Sequence, residues 1–333
     1  MILMMSVSKE VLLEVKNLNV RYKVYGGILN VLNEVSLSVF KGEKVGLIGE
    51  SGCGKTTLAK AIMGILPSNS VVQGEKILYK GQDLLSLSRK KRDSLRKGSM
   101  GIIFQDPSAA LDPVFKIGPQ IYDIIKFSSN KRLKKLEIQE SAVQILKMAS
   151  LPEPQRILDS YPFELSGGMK QRVLIAMAVA SSNDFLIADE PGTSLDVTIE
   201  DQIMKLLLTL VDSRHLSFIL ISHSLGIVKK FTDRVYVMYA GTIVEYGSTR
   251  SIFFTPKHPY TVMLFQSVPK LVGGGISLGI PGLVPSYLNP PKGCRFAARC
   301  PYKMEICNQS KPPMYEIEDN HYVACYLYYR EER

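Results

Sequence analysis

Glycines, a lysine and a threonine occur together early in the chain, in the order Gly49-x4-Gly54-Lys55-Thr56. An apolar run typical of a strand precedes them, and a segment with apolar positions at helical spacing follows. Glycine lets backbone N–H groups turn inward without a clashing Cβ, and the start of a helix attracts anions. The order of strand, loop and helix therefore predicts a phosphate-binding loop. In such a loop Lys55 reaches the β- and γ-phosphates and Thr56 holds Mg2+, whereas we expect Cys53 to be inert.

Two carboxylates, Asp189 and Glu190, follow four apolar residues at 185–188. Such a run predicts a buried parallel strand, and ligands of open α/β sheets gather at the carboxyl ends of strands. Asp189 suits Mg2+ through water, and Glu190 is then placed to polarise an attacking water as general base or water-positioning group. An acidic pair at a helix N-terminus is the alternative, which the phosphate loop upstream makes weaker.

A second glycine-containing segment, residues 165–171, precedes a strongly helical run. Ser166, Gly167 and Gly168 offer a hydroxyl and open backbone N–H groups at the start of that helix, which predicts a second anion site. One nucleotide does not need two such sites in one chain. We therefore expect this segment to contact a nucleotide that another subunit holds.

The elements that must position these residues indicate an α/β fold. Residues 12–24 and 31–40 alternate apolar and polar positions, which predicts an antiparallel β layer at the start of the fold. The apolar run at 218–221 repeats the pattern of 185–188, so we expect parallel strands joined by a helix over 198–210. Residues 107–182 have a mostly helical pattern, which predicts a helical insertion into this core.

The amino-acid composition limits the classes of protein to which the chain can belong. The chain has 333 residues, of which 46% are apolar and 22% charged, and this profile excludes disordered, collagenous and coiled-coil proteins. The net charge of +10 suits a nucleic acid, an anionic membrane surface or a polyanionic ligand. The longest apolar stretch, 206–221, is interrupted by charged residues, and residues 1–5 lack a basic leader. We therefore expect a cytoplasmic chain that does not itself span a membrane.

Together these motifs resemble the ATPase subunit of an ABC transporter, over about residues 11–250. Gln105, which follows a predicted strand at 101–104, is similar to the Q-loop of that family. Ser194-Leu195-Asp196 resembles the D-loop, and His223, after the strand at 218–221, resembles the switch histidine. Tyr22 is similar to the aromatic residue that stacks on adenine, with Tyr25 as the alternative.

The resemblance implies a P-loop NTPase core that binds ATP and Mg2+. It implies a catalytic set of Glu190, His223, Gln105 and Lys55, and Mg2+ contacts from Thr56, Gln105 and Asp189. The residues expected to contact nucleotide are Tyr22, Gly49, Ser51, Gly52, Gly54, Lys55, Thr56, Thr57, Gln105, Ser166, Gly167, Gly168, Asp189 and Asp196.

The same resemblance implies partners. Two ATPase subunits pair head to tail with two ATP molecules between them, and we expect the second to be a paralogue rather than an identical copy. A groove beside the Gln105 loop is implied to receive a coupling helix from one of two transmembrane permease subunits. An extracytoplasmic substrate-binding protein acts indirectly. The chain is then peripheral, on the cytoplasmic face of the membrane, and binds no nucleic acid.

The last part of the chain resembles the C-terminal extension of oligopeptide and dipeptide importer ATPases. The matching residues are His258-Pro259-Tyr260-Thr261 and Pro290-Pro291-x-Gly293-Cys294-x-Phe296. This implies ATP-driven uptake of di- or oligopeptides, and oligosaccharides are the alternative cargo. We expect an ABC ATPase domain over 1–250 and an extension over 251–333.

Four cysteines crowd into that extension: Cys294, Cys300, Cys307 and Cys325. A chain that handles ATP lies in a reducing compartment, where disulfides are disfavoured, so metal ligation is the natural interpretation. The close cysteine pairs typical of zinc are absent, and looser spacing suits an iron–sulfur cluster. The resemblance also implies a [4Fe–4S] cluster, with zinc and free or disulfide-bonded cysteines as alternatives. Because the segment is Pro-rich with weak apolar periodicity, we expect the cluster to replace a core, at positions far in sequence from the nucleotide motifs.

Two other classes of function compete. A soluble ABC ATPase acting on DNA or the ribosome fits the positive charge, but the chain has one nucleotide domain, no long coiled-coil insertion and an importer-like extension. An iron–sulfur redox protein with vestigial ATP binding is disfavoured because Lys55, Glu190 and His223 are all present.

Overall fold

A computed structural model of the chain describes residues 10–129, 131–192, 196–267 and 279–329. The strands within these residues are β1 (Val11–Val24), β2 (Gly27–Phe40), β3 (Lys44–Ile48), β4 (Ser70–Gln73), β5 (Lys76–Tyr79), β6 (Gln82–Asp83), β7 (Met100–Ile103), β8 (Phe185–Asp189), β9 (Ser217–Ile221), β10 (Arg234–Tyr239), β11 (Thr242–Ser248), β12 (Tyr315–Glu318) and β13 (His321–Val323).

The helices are α1 (Lys55–Met63), α2 (Arg89–Arg96), α3 (Pro107–Ala110), α4 (Ile117–Ser128), α5 (Lys135–Met148), α6 (Pro154–Asp159), α7 (Gly167–Ser181), α8 (Val197–Ser213), α9 (Leu225–Phe231), α10 (Thr249–Phe254), α11 (Pro259–Gln266) and α12 (Ile306–Gln309). Helix α1 ends at Met63, directly before a glycine. Gly64 adopts φ +60 there, and its N–H group returns to the carbonyls of Ala61 and Lys60.

The chain forms two compact units. The first comprises residues 1–12, 39–44 and 86–220, and the second comprises residues 13–38, 45–85 and 221–333. The chain therefore enters each unit more than once, and the extension predicted over 251–333 lies entirely in the second unit.

The second unit contains the antiparallel layer that the alternating segments predict. Strand β1 pairs with β5, with Leu13 opposite Tyr79, and with β4, with Asn19 opposite Gln73. The order in this sheet is β2-β1-β5-β6, with β4 also paired to β1. Apolar side chains of β1 at alternate positions are buried and the intervening ones are more exposed, as expected for a strand with one covered face.

The second unit also carries the strand that leads into the phosphate loop. Strand β10 pairs in parallel with β3, with Val235 opposite Gly46, and antiparallel with β11. The β12–β13 hairpin continues this sheet, since β13 pairs antiparallel with β11 and Glu245 lies opposite Val323. The end of the extension is therefore built onto the same strands that position the loop.

The first unit combines strands β9, β8 and β7, in that order, with helices α2 to α8. Every residue of β8 and β9 is buried, as the continuous apolar runs predict. Helices α4, α5, α6 and α7 pack around their own core, to which α5 contributes Ile138, Ala142 and Leu146. Their spacing of four residues places these three side chains on one helix face.

These strands and helices confirm the predicted α/β fold with an antiparallel layer and a helical segment. The expectation that the extension lacks a core is wrong. Tyr260, Phe296 and Val323 are almost completely buried, and the ring centroid of Tyr239 in β10 lies 4.6 Å from that of Tyr260 and 5.1 Å from that of Phe296. The extension buries its few apolar residues against β10 and β11. Weak apolar periodicity within the segment therefore does not indicate that it lacks a core. Among the described residues, no helix combines the length and apolar character needed to cross a bilayer.

Candidate functional site

The phosphate loop, residues 49–56, joins β3 to α1. Gly49 has φ +154, and a Cβ on this residue would lie 2.1 Å from the carbonyl oxygen of Met238. Gly52 and Gly54 also have positive φ, at +75 and +105. The glycines are therefore required here by backbone conformation and, at Gly49, by the close approach of β10.

Lys55 is buried although it carries a charge. Its Nζ donates hydrogen bonds to the carbonyl oxygens of Gly49, at 2.9 Å, and Glu50, at 3.0 Å. The ammonium group thus lies inside the curve of the loop, where an anion is predicted to bind. Cys53 is also buried here, and burial raises the pKa of its thiol, which supports the expectation that it is inert.

Helix α1 begins immediately after the loop, and its N-cap, Gly54, makes no side-chain hydrogen bond to the helix. Thr56 and Thr57 lie in its first turn, while Ser51 and Gly52 are exposed on the loop. This helix start therefore presents backbone donors and hydroxyl groups together, as an anion site requires.

Asp189 and Glu190 lie at the carboxyl end of β8, and both are buried. Gln105 follows the neighbouring β7, and its Nε2 donates a hydrogen bond of 2.9 Å to Glu190 Oε2. Glu190 adopts φ +50, which is unusual for a residue with a side chain and marks a sharp turn at the strand end. The structure thus brings together the carboxylate and the amide that the sequence predicts to handle water and Mg2+.

Ser166 is the N-cap of α7. Its Oγ accepts a hydrogen bond of 3.3 Å from the N–H group of Met169, and Gly167 and Gly168 form the first turn. Ser166 and Gly167 are exposed, whereas Leu165 is buried and anchors the segment. The segment predicted to bind a second anion is therefore an exposed, serine-capped helix start.

The remaining predicted residues have different surroundings. His223 is exposed and follows β9, and Asp196 is exposed at the N-cap of α8. Ser194 and Leu195 lie outside the described residues. Tyr22 is half-buried in β1, opposite Ser70 of β4, whereas Tyr25 is fully exposed in the turn between β1 and β2.

The four cysteines of the extension line one small cavity of about 10 Å3. His258, Pro259 and Phe296 contribute to the same wall. The N–H group of Cys294 donates a hydrogen bond of 2.8 Å to the carbonyl oxygen of Cys307, which ties two of the cysteines together. This cavity, lined by Cys294, Cys300, Cys307 and Cys325, is called the cysteine cavity below.

The pKa values of the Cys294 and Cys325 thiols are raised to about 11, mainly by burial and to a smaller extent by negative charge on other cysteines of the cavity. Such thiols are protonated near neutral pH, so a metal must displace their protons to bind. Within residues 10–129, 131–192, 196–267 and 279–329, no three His, Cys, Asp or Glu side chains surround a single metal-ion position. The donor set suits a soft metal, but these thiols are not arranged around one ion.

Sequence reasoning missed the contacts between the extension and the phosphate loop. The Arg299 guanidinium forms an ion pair with Glu50, with Nη1 at 2.7 Å from Oε2 and Nη2 at 3.0 Å from Oε1. The cysteine segment is far in sequence from every nucleotide motif, yet Arg299, next to Cys300, contacts the phosphate loop in the fold. The residues are 249 apart in the chain, and no local spacing signals such a pair.

A buried polar cluster formed by β11 and the extension was also missed. The Glu245 carboxylate accepts hydrogen bonds from the N–H groups of Lys257, at 2.7 Å, and His258, at 2.9 Å, and its Oε1 lies 2.8 Å from His321 Nε2. His258 Nδ1 accepts from the N–H group of Tyr260 at 3.0 Å. The sequence signal was the His258-Pro259-Tyr260 motif, which in the structure fixes the start of α11.

Comparisons with known proteins match both parts of the chain. The ABC transporter family model matches residues 32–193, and a model described as the oligopeptide/dipeptide transporter C-terminal region matches residues 244–307. The oligopeptide transport ATP-binding protein OppD of Bacillus subtilis is 43% identical over 320 residues, which are 95% of this chain and 88% of that protein. The dipeptide transport ATP-binding protein DppD of the same organism is 42% identical, covering 96% of this chain and 95% of that protein.

Solved structures share the fold of the cassette. The dimeric structure of MJ0796, a bacterial ABC transporter cassette, has a TM-score of 0.64 and 26% identity, and the match covers 72% of this chain and 99% of that one. A dimeric post-hydrolysis state of the same cassette, bound to ADP and Pi, has a TM-score of 0.61.

Proposed function

Since this chain belongs to the ABC transporter family of ATP-binding proteins, and is an ATPase of that family, we propose that it powers the import of dipeptides or oligopeptides. The observation that carries this proposal is the likeness to peptide transport ATP-binding proteins over 320 residues, cassette and extension together. A match confined to the cassette would support ATP hydrolysis without indicating a cargo.

Cargo is tested in the assembled transporter. The chain is reconstituted in liposomes with its permease subunits, second ATPase subunit and substrate-binding protein, and ATP hydrolysis is measured with dipeptides, oligopeptides and oligosaccharides. We expect stimulation by peptides, and a complex carrying Glu190→Gln as control should show none. Stimulation by oligosaccharides alone would contradict the peptide assignment and support the alternative cargo.

At the nucleotide site, we assign the phosphates to the loop at 49–56 and the start of α1. ABC ATPases bind ATP with Mg2+, for which Thr56, Gln105 and Asp189 supply suitable oxygen atoms. Lys55 places a buried positive charge inside the loop, which favours the β- and γ-phosphates. Ser51, Gly52, Gly54 and Thr57 border the same segment, and Tyr22 is the candidate for adenine.

We assign the attacking water to Glu190. Its carboxylate is fixed by the hydrogen bond from Gln105, so water activation requires no further ordering of this side chain. His223, at the end of β9, is the candidate for contact with the γ-phosphate, and Asp196 for contact across the subunit interface. Positioning and charge stabilisation supply most of phosphoryl-transfer catalysis, so these groups are sufficient in type.

A head-to-tail ATPase pair is proposed from the exposed Ser166 segment. Ser166, Gly167 and Gly168 form a helix start that suits the phosphates of a second subunit's ATP. The dimeric state of the structurally similar cassette supports the pairing of two ATPase subunits. We further propose a paralogous ATPase partner, two transmembrane permeases, an extracytoplasmic binding protein and a peripheral position on the cytoplasmic face of the membrane.

For the extension over 251–333, we propose that the cysteine cavity holds a [4Fe–4S] cluster. Four thiols that line one cavity support it, because iron–sulfur clusters are held by cysteine thiolates. The cavity, at about 10 Å3, is about large enough for one water, so binding a cluster requires the thiols to move apart. Cys294, Cys300, Cys307 and Cys325 would hold the cluster, which would then cross-link the segment that also carries Arg299.

A further inference from the structure

The extension holds the phosphate loop through a two-point ion pair. Arg299 Nη1 and Nη2 lie 2.7 and 3.0 Å from the two carboxylate oxygens of Glu50, the second residue of the loop. The side chain of Arg299 is 4% exposed and that of Glu50 is 25% exposed. A buried, bidentate guanidinium–carboxylate pair is directional and strong, unlike an ion pair at an open surface.

Arg299 is itself fixed by its other contacts. Its Nε donates to the carbonyl oxygen of Pro281 at 2.9 Å, Nη2 to that of Ile280 at 2.8 Å, and Nη1 to Tyr239 Oη at 3.3 Å. With the two bonds to Glu50, every one of its five N–H groups has an acceptor. The orientation of this guanidinium is therefore fully determined, and it presents Glu50 with a rigid partner.

Two tyrosines of the extension contact the backbone of the same loop. The N–H group of Glu50 donates to Tyr260 Oη at 2.8 Å, and Tyr287 Oη donates to the carbonyl oxygen of Gly52 at 2.7 Å. Both tyrosine side chains come from the segment beyond residue 250. The loop is thus held at its backbone as well as at the Glu50 side chain.

Glu50 connects the extension to the predicted phosphate-binding lysine. Its carboxylate contacts Arg299, its N–H group contacts Tyr260, and its carbonyl oxygen accepts from Lys55 Nζ at 3.0 Å. All three polar groups of this one residue are therefore occupied. A shift of Arg299 would move the peptide group on which Lys55 rests.

We infer that Arg299 is a positioning residue for ATP, which acts through Glu50 to hold the phosphate loop and Lys55 in the conformation that receives the triphosphate. The extension thereby becomes part of the ATP-binding apparatus. The inference rests on the assignment of the loop to ATP, which Lys55→Ala tests separately: if that variant binds ATP normally, the assignment itself fails.

A second physical role for Arg299 makes an opposite prediction. If the guanidinium only neutralised the negative charge of Glu50 near the phosphates, removing that charge would strengthen ATP binding. If it positions the loop, removing either partner weakens binding, because the two-point contact is lost in both cases. Glu50→Gln therefore separates the two roles.

The experiment measures the Kd of MgATP for the full-length chain with a fluorescent ATP analogue and competition by ATP. We expect Arg299→Gln and Glu50→Gln each to weaken binding about tenfold, as hydrogen bonds to charged groups typically contribute. The double variant should be no weaker than either single variant, because both remove the same contact. Arg299→Lys should recover only part of the affinity, because the ammonium group keeps the positive charge but cannot make the two-point contact.

The matched control is Lys311→Gln, which removes another ion pair between the extension and the core, at 2.9 Å from Glu34. We expect its Kd to stay within twofold of the parent. Thermal unfolding is measured for every variant. If Arg299→Gln does not fold, Glu50→Gln decides the question, because it alters no residue of the extension. Tighter binding by Glu50→Gln, or values within twofold for both single variants, would overturn the inference.

Steady-state hydrolysis in the assembled transporter gives a second readout. A residue that positions the loop for binding should raise KM for ATP while kcat changes less than threefold. A fall in kcat of about tenfold with KM unchanged would mean that Arg299 acts in the chemical step, and this result would contradict the inference.

Discussion

The Gln105 amide and the Glu190 carboxylate are joined by a hydrogen bond of 2.9 Å, and the register of two strands explains why they meet. Ile103 of β7 lies opposite Ala188 of β8 in a parallel pair. Gln105 comes two residues after Ile103, and Glu190 comes two residues after Ala188, so both side chains lie at the same edge of the sheet. The amide thereby orients the carboxylate that we assign to the attacking water.

Glu190→Gln should leave ATP binding intact and lower turnover by about 100- to 10,000-fold, because an amide cannot accept the proton of water. The Gln105 contact can persist, since an amide oxygen also accepts a hydrogen bond. Turnover is measured in the assembled transporter and binding in the isolated chain. Glu140→Gln, at an exposed position of α5, is the control. Turnover within twofold of the parent would exclude Glu190 as general base.

Gly49→Ala should destabilise the second unit by at least about 2 kcal/mol, because the new Cβ would lie 2.1 Å from the carbonyl oxygen of Met238. Urea unfolding measures the free energy change. Gly226→Ala is the matched control, because Gly226 lies in helix α9 and a Cβ added there would meet no atom within 4 Å. We expect that variant to be unchanged or up to about 1 kcal/mol more stable. Equal stability of both variants would show that the loop does not need glycine at position 49.

The sequence allowed the strands, the phosphate loop and the capped start of α7 to be predicted because their signals are local. Alternation in β1, the apolar run before Asp189 and the Ser-Gly-Gly order at Ser166 all act over a few residues. The Arg299–Glu50 pair could not be predicted, because residue type alone does not tell which arginine reaches a loop 249 positions away. The core of the extension was missed for the same reason, since Phe296 packs on Tyr239 rather than on its neighbours in sequence.

Stability should fall in mild acid because of His258. Burial lowers the pKa of its imidazole from 6.5 to about 4, so between these values the unfolded chain binds a proton that the folded chain does not. The contribution is therefore absent above pH 6.5 and becomes unfavourable as pH falls, by about 2 kcal/mol between pH 7 and pH 5. Urea unfolding at several pH values measures it. His258→Asn should reduce the slope, whereas His215→Asn, at an exposed position, should keep it. An unchanged slope in His258→Asn would refute this origin.

Gly168→Asp should impair the ATP site of the partner subunit rather than that of its own chain. Within the part of the chain that the structure describes, a Cβ at this position would meet Ile199 alone, at 3.4 Å, so the first unit can accept a small side chain there. The added carboxylate would repel the phosphates that the Ser166 segment is proposed to contact. In a mixed pair, nucleotide binding is measured at each site, with Gly168→Ala as the uncharged control. Loss at the Lys55 site of the same chain would contradict the head-to-tail arrangement.

Protein purified without oxygen should be brown and contain about four iron atoms per chain, if the cysteine cavity binds a [4Fe–4S] cluster. Cys300→Ser and Cys325→Ser should each lose most of the iron, while Cys53→Ser, at a cysteine outside the cavity, should retain it. Because Arg299 precedes Cys300 directly, Cys300→Ser should also weaken MgATP binding. Iron, zinc and absorbance are measured on one preparation. Stoichiometric zinc without iron, or a Cys300–Cys307 disulfide in protein from intact cells, would exclude the cluster.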